Sequence, residues 1–154
     1  MFSSHKELLK SIDTNKIVGL VPTMGSLHKG HLSLVERALS ENEQVIVTIY
    51  VNPTQFNDIN DLKQYPRNLE SDIDKLRDYK NIFIYSPRDK DLYQEVVSKN
   101  YDLDNLDKIL EGKYRPGHFN GVATIVEKLF TIFNPNNAYF GEKDFQQLSI
   151  IKTM

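Results

Sequence analysis

The sequence predicts an α/β fold, a doubly wound parallel sheet with helices on both faces. Three observations point there. Short apolar, β-branched runs alternate with segments of helical period along the 154 residues. Two of the runs, Ile17–Val21 (IVGLV) and Val45–Val51 (VIVTIYV), are apolar almost throughout, as suits strands buried on both faces. No internal repeat, low-complexity tract or Gly/Ser linker interrupts the alternation, so a single domain over residues 1–154 is expected.

The elements follow in order. Ile17–Val21 is the first strand. Leu32, Val35 and Leu39 share one face of a helix that starts near Gly30. Val45–Val51 is the second strand. Leu69, Ile73 and Leu76 mark a second helix, and Ile82–Tyr85 (IFIY) a third strand. Val96–Lys99 is a small extra strand candidate, and Leu103, Leu106 and Leu110 suggest a short helix. Val122, Ile125, Val126, Leu129, Phe130 and Phe133 form the strongest helical stripe, a core face that should stop at Asn134-Pro135. Ala138–Phe140 is a last short strand. A final helix begins near Asp144, with Leu148 and Ile151 as its apolar positions. No cap residue closes that helix before Met154, so the chain reads as cut inside it.

Composition limits the chemistry. Hydrophobic residues are 40% and charged residues 26%, a globular balance. Lys+Arg count 19 and Asp+Glu 21, so overall basicity gives no reason to expect nucleic acid. The absence of Cys excludes disulfides, thiolate metal sites and Cys nucleophiles. No apolar run nears the ~20 residues that cross a bilayer. Charges break up MFSSHKELLKSID, which is no signal peptide. A cytoplasmic protein without membrane contact is expected.

In open parallel sheets, ligands bind beyond the carboxyl ends of the strands. Three post-strand segments are therefore expected to converge on one crevice: Pro22–His31, Asn52–Asn57 and Gly141–Gln147. The sharpest motif is His28-Lys29-Gly30-His31 at a strand-to-helix junction. Helix N-termini attract phosphate, and two imidazoles there can donate to phosphate oxygens as charge builds. Gly30 would leave room for a nucleotide. A metal pair or two surface histidines are the competing readings, though the spacing is not that of a zinc helix and no third ligand is evident. Asn52 and Gln55 suit hydroxyl or carboxylate recognition, or cap their own loop. Lys143 can meet phosphate, and Asp144 can cap a helix or touch ribose or Mg²⁺. Gln146 and Gln147 cannot both face the crevice. Arg115 and His118 sit between two helices, as anion contacts or as a rigid loop and cap. The acidic stretch Asn57–Asp61 reads as solvated loop, and His5 as surface.

Five ordered blocks then carry a resemblance. PTMGSLHKGHLSLV at 22–35, VNPTQFN at 51–57, YPRNLESD at 65–72, LEGKYRPGHFNGVATIVEKLF at 110–130 and YFGEKDFQQL at 139–148 resemble pantoate–β-alanine ligases (pantothenate synthetases). His-x-Gly-His alone resembles only the wider nucleotidyltransferases, with their Rossmann-like sheet. The resemblance implies ATP-dependent ligation of pantoate and β-alanine through a pantoyl adenylate. It implies an ATP segment at Met24, Gly25, Ser26, Leu27, His28, Lys29, Gly30 and His31, with His31 as proton donor, and a second at Gly141, Glu142, Lys143 and Asp144. It makes His28, His31 and Lys143 the catalytic set, Gln55 and Gln147 the pantoate contacts, and Gln55 the β-alanine contact. Asn52, Arg115 and His118 are weaker substrate candidates. ATP is the co-substrate, Mg²⁺ arrives with it and no dedicated protein metal site is expected. A homodimer is plausible for the full-length enzyme.

Lys29 stands where the family often has an acidic residue. The family's chain also runs on into a further strand, a Ser-Ser-Arg-type loop and a C-terminal domain. Residues 1–154 are thus expected to be the N-terminal nucleotide- and pantoate-binding domain, keeping pantoate binding but losing most ATP affinity and turnover. The competing readings are another His-x-Gly-His nucleotidyltransferase, separable by assaying ATP against CTP, and a ligand-binding domain without turnover.

Overall fold

The computed structural model describes residues 1–154. Helix α1 (His5–Ser11) leads into strand β1 (Val18–Thr23), helix α2 (Lys29–Glu41) and strand β2 (Gln44–Ile49). Then come a 3₁₀ turn at Pro53–Gln55, α3 (Ile59–Gln64), α4 (Leu69–Leu76), β3 (Ile82–Tyr85) and α5 (Asp89–Leu92). A second 3₁₀ turn, Leu106–Lys108, precedes α6 (Leu110–Tyr114) and α7 (His118–Phe133). The chain finishes with β4 (Asn137–Ala138), a 3₁₀ turn at Glu142–Asp144 and α8 (Phe145–Thr153).

All strand pairs are parallel, in the order β3-β2-β1-β4. The chain builds outward from β1 through β2 to β3, then returns to the other side of β1. That reversal puts a topological switch point between β1 and β4, where such sheets open a crevice. Alternation along the strands sends side chains to opposite faces. Val18, Leu20 and Ile46 join α1 and α7 through Leu8, Val122, Val126 and Leu129. Val21, Val45 and Val47 join α2 and α4 through Val35, Ala38 and Leu76. The stripe on α7 is core, and the helix stops at Asn134 in a left-handed cap (φ 42°).

Several expectations need correcting. The first two strands run Val18–Thr23 and Gln44–Ile49, and the last pairs only through Asn137 and Ala138. Val96–Lys99 is not a strand. Val96 and Val97 are exposed, and the Lys99 amide donates to Thr124 Oγ1 at 2.9 Å instead of to a neighbouring strand. Leu103, Leu106 and Leu110 do not share one helix, because Asp104, Asn105 and Leu110 take positive φ (50°, 60° and 47°) and break it into two short turns. Asn57–Asp61 is partly helical, with the Asp58 carboxylate accepting from Asn60 N at 2.7 Å to cap α3. His5 is partly buried, and Asp91 accepts from its backbone N (3.0 Å) and pairs with its Nδ1 (3.1 Å).

Candidate nucleotide and acid site

The β1–α2 loop turns through Gly25 and Ser26, both at positive φ (84° and 51°). A carboxylate from α4 holds it there. Asp72, 2% exposed, accepts from Ser26 N at 2.8 Å and Leu27 N at 2.7 Å. Lys75 Nζ donates to Leu27 O at 2.7 Å. Leu27 itself is buried in the core, so only its backbone can face a ligand.

The loop delivers His28 to the N-cap of α2. Its Nδ1 accepts from Gly30 N at 3.1 Å, while His31 Nδ1 accepts from His28 N at 3.4 Å. The rings stack with centroids 4.0 Å apart. Both Nδ1 atoms therefore act as acceptors, each neutral ring carries its proton on Nε2, and neither Nε2 has a protein partner. Burial, and then the neighbouring His28, hold His31 below the ordinary imidazole range, so the ring is a neutral donor at pH 7. Gly30 serves the cap itself: a Cβ there would meet His28 Cε1 at 2.9 Å, so glycine lets the ring fold back.

After β2, Asn52 (1% exposed) and Gln55 (6% exposed) lie in the Pro53–Gln55 turn. Asn52 Nδ2 donates to Gln55 Oε1 and to Gly121 O, both at 3.1 Å. Its Oδ1 accepts from Tyr93 Oη at 2.9 Å and Thr54 Oγ1 at 3.0 Å. Every polar atom of Asn52 is thus committed within the protein. Gln55 Nε2 meets only the Met24 sulfur, at 3.0 Å. The turn sits so close to α7 that a Cβ on Gly121 would lie 2.2 Å from Thr54 O.

His118 is likewise committed. Its Nδ1 donates to Gln55 O at 2.7 Å, and its Nε2 accepts from Arg115 Nη1 at 3.3 Å. Burial holds His118 below its ordinary range. Arg115 also pairs with Glu111 at 2.7 Å. The adjacent glutamines divide as expected. Gln146 turns inward, donating to Leu106 O (2.6 Å) and Ile109 O (2.8 Å), while Gln147 faces the cleft.

A cleft of about 440 Å³ gathers Met24, Gln55, Tyr65, Arg115, Asp144 and Gln147. Lys143 and Asp144 are near enough for their charges to act on His31. Lys143 is 86% exposed and pairs with Asp144 at 3.1 Å. Asp144 precedes α8 without a side-chain cap bond. Lys29 and Glu142 point to solvent. A second recess, of about 580 Å³, is lined by Met24 and Gly25, and none of the other sequence candidates line it. No group of three or more His, Asp or Glu side chains is arranged to hold a metal ion, and no helix is long and apolar enough to cross a membrane.

Two contributors escaped the sequence reading. Asp72 closes the YPRNLESD block, where an acidic residue on a helix looks like solvated surface. Tyr93 lies in no block. Only the tertiary contacts give them roles.

The family model for pantoate-beta-alanine ligase matches residues 1–154. The pantothenate synthetase of Flavobacterium psychrophilum is 54% identical over 145 residues, covering 93% of this chain and 51% of that protein. That of Phocaeicola vulgatus is 52% identical over 153 residues, 97% of this chain and 54% of its own length. The crystal structure of the Francisella tularensis pantoate-beta-alanine ligase, complexed with beta-gamma ATP and beta-alanine, superposes with a TM-score of 0.90 at 44% identity. It covers 99% of this chain and 60% of that one. The Thermus thermophilus enzyme gives 0.91 at 43% identity, covering 99% of this chain and 55% of its own. The chain spans about half the length of the curated relatives it matches.

Proposed function

We propose a function from one premise: this chain belongs to the pantoate-beta-alanine ligase family. Residues 1–154 form the nucleotide- and pantoate-binding unit of an ATP-dependent ligase. The pantoate carboxylate attacks the α-phosphorus of ATP, pyrophosphate leaves, and a pantoyl adenylate forms. The amine of β-alanine attacks the acyl carbon, AMP leaves with the bonding electrons, and the amine proton passes to solvent. The products are pantothenate, AMP and pyrophosphate.

The observation that carries this reading is the orientation of the two histidines. Both use Nδ1 inside the α2 cap and leave an Nε2–H without a protein partner, and His31 lies within the electrostatic reach of Lys143 and Asp144. Such donors stabilise charge gathering on phosphate oxygens without reorganising during the step. His31, the more buried of the two, is the main donor, its Nε2–H hydrogen-bonding to the phosphate oxygens as charge builds and keeping its proton. Met24 to His31 and Gly141 to Asp144 flank the triphosphate. Lys143 swings from Asp144 to the phosphates, and its exposure leaves it room to do so. Gln55 and Gln147 hold pantoate, and Gln55 borders the β-alanine position. Asn52 and His118 act by fixing the Gln55 turn, with Arg115 behind His118. The substrates supply both nucleophiles, so the protein aligns them and excludes water from the adenylate.

Mg²⁺ fits as a partner of the triphosphate, because the three carboxylates that line the cleft, Asp61, Glu111 and Asp144, are not grouped to cage an ion. Bound there, it would neutralise phosphate charge. The reading also includes a cytoplasmic location and a homodimeric full-length enzyme.

Separate NMR titrations with pantoate and with Mg-ATP test the assignment. Pantoate should move the side-chain amides of Gln55 and Gln147, and nucleotide the Nε2 resonances of His28 and His31. Shifts scattered away from the cleft would refute it.

A further inference from the structure

The turn after β2 holds a chain of hydrogen bonds whose direction is set by groups with only one possible role. The Gly121 carbonyl can only accept, and it faces the Asn52 side chain at 3.1 Å. The Thr54 backbone N–H can only donate, and it faces the other side of the same amide at 3.4 Å. Asn52 must therefore turn Nδ2 to Gly121 and Oδ1 to Thr54. The same Nδ2 reaches Gln55 at 3.1 Å, so Gln55 must answer with its acceptor, Oε1. That leaves Gln55 Nε2 on the cleft side, against a thioether that accepts only weakly.

Tyr93 closes the chain from behind. It follows α5, 41 residues from Asn52, and its hydroxyl donates to Asn52 Oδ1 at 2.9 Å, the shortest bond that oxygen receives. The side chain is 6% exposed, with Lys128 Nζ 5.1 Å above its ring. Burial pushes the phenol up to about 12, so the hydroxyl keeps its proton near neutral pH.

We propose that Tyr93 is a positioning residue that, through Asn52, locks Gln55 so that only N–H donors face the cleft. A site offering donors alone selects an acceptor-rich group, such as a carboxylate or the oxygen of a hydroxy acid. This last step rests on Gln55 being a pantoate contact, as proposed above. Without the hydroxyl, Asn52 Oδ1 loses its shortest bond and keeps only the two from Thr54, so Gly121 and Thr54 still set the sense of the amide but hold it, and Gln55 beside it, less tightly.

The test compares Tyr93→Phe with Tyr50→Phe. Tyr50 is also buried, and its hydroxyl donates to Asp89 at 2.9 Å, outside the chain of bonds. In the unaltered protein and in Tyr50→Phe, the Gln55 Nε2 protons should give a strong NOE to the Met24 methyl. In Tyr93→Phe that NOE should fall severalfold. Pantoate binding should weaken about tenfold in Tyr93→Phe, the scale set by removing one buried partner, with Mg-ATP binding unchanged. A retained NOE in Tyr93→Phe, or an equal loss in Tyr50→Phe, overturns the inference. If Tyr93→Phe does not fold, the unaltered protein still decides: a Tyr93 hydroxyl proton in fast exchange with water overturns the lock, and a slowly exchanging one with an NOE to the Asn52 amide supports it. Failure of the unaltered protein to bind pantoate overturns the reading of the site instead, and leaves the NOE comparison standing.

Discussion

The two sides of the cleft are built differently. On the β1 and β2 side, the loops that carry the functional groups are tied to distant parts of the chain: the Ser26–Leu27 backbone to Asp72 and Lys75, and Gln55 through Asn52 to Gly121 and Tyr93. On the β4 side, Lys143 bonds only to its neighbour, and the preceding strand is two residues long. The first side is set before a ligand arrives, whereas the second can adapt to one. Preorganised donors suit charge that develops in a transition state, while a mobile lysine suits a polyphosphate that must enter and leave.

Five changes would break or sharpen this contrast. The largest effect is expected from His31→Ala, which removes one preset donor. In the full-length enzyme, pantoate-dependent pyrophosphate exchange should fall by ~10²–10³, with pantoate affinity unchanged. Loss of binding with intact chemistry would make His31 a positioning group. Gly121→Ala should come next. The new methyl collides with the Thr54 carbonyl, and denaturant unfolding should show a loss of about 1–3 kcal/mol together with weaker pantoate binding. Asp72→Asn leaves one acceptor for two backbone amides, one of them buried. Stability should drop by about 1–2 kcal/mol, and Ser26 and Leu27 should lose hydrogen-exchange protection.

The fourth change is in pH. His118 is held below its ordinary value, so the unfolded chain binds its proton more readily than the folded one. Stability should be full above about pH 6.5 and decline as pH falls through the folded value. His31 acts in the same direction. In Tm measurements between pH 7 and 5, His118→Gln should flatten part of that decline. The smallest effect on folding is expected from Lys143→Ala, within about 0.5 kcal/mol by denaturant unfolding, because its ion pair is exposed. A larger loss would show that the β4 side is as fixed as the other.

The same division explains what the sequence disclosed. The apolar runs of β1 and β2 and the α7 stripe are local periodic signals, and they locate the sheet and its main helix. His28 and His31 are legible because helix caps are local too. Val96–Lys99 misled because a valine pair resembles a strand, while pairing depends on a neighbour that is absent there. Leu103, Leu106 and Leu110 misled because helical spacing does not reveal left-handed residues between them. Asp72 and Tyr93 were invisible for a third reason. Their partners lie more than forty positions away, and no composition or period encodes such a meeting.

The two apolar layers flank the sheet, while most of the polar groups of the cleft stand past the strand ends, outside both layers. Selection can therefore act on each almost separately. Mutational drift at the rim can retune what the crevice accepts while the barrier to unfolding stays put. Wear within the layers should instead shorten the protein's lifetime before it alters its choice of substrate.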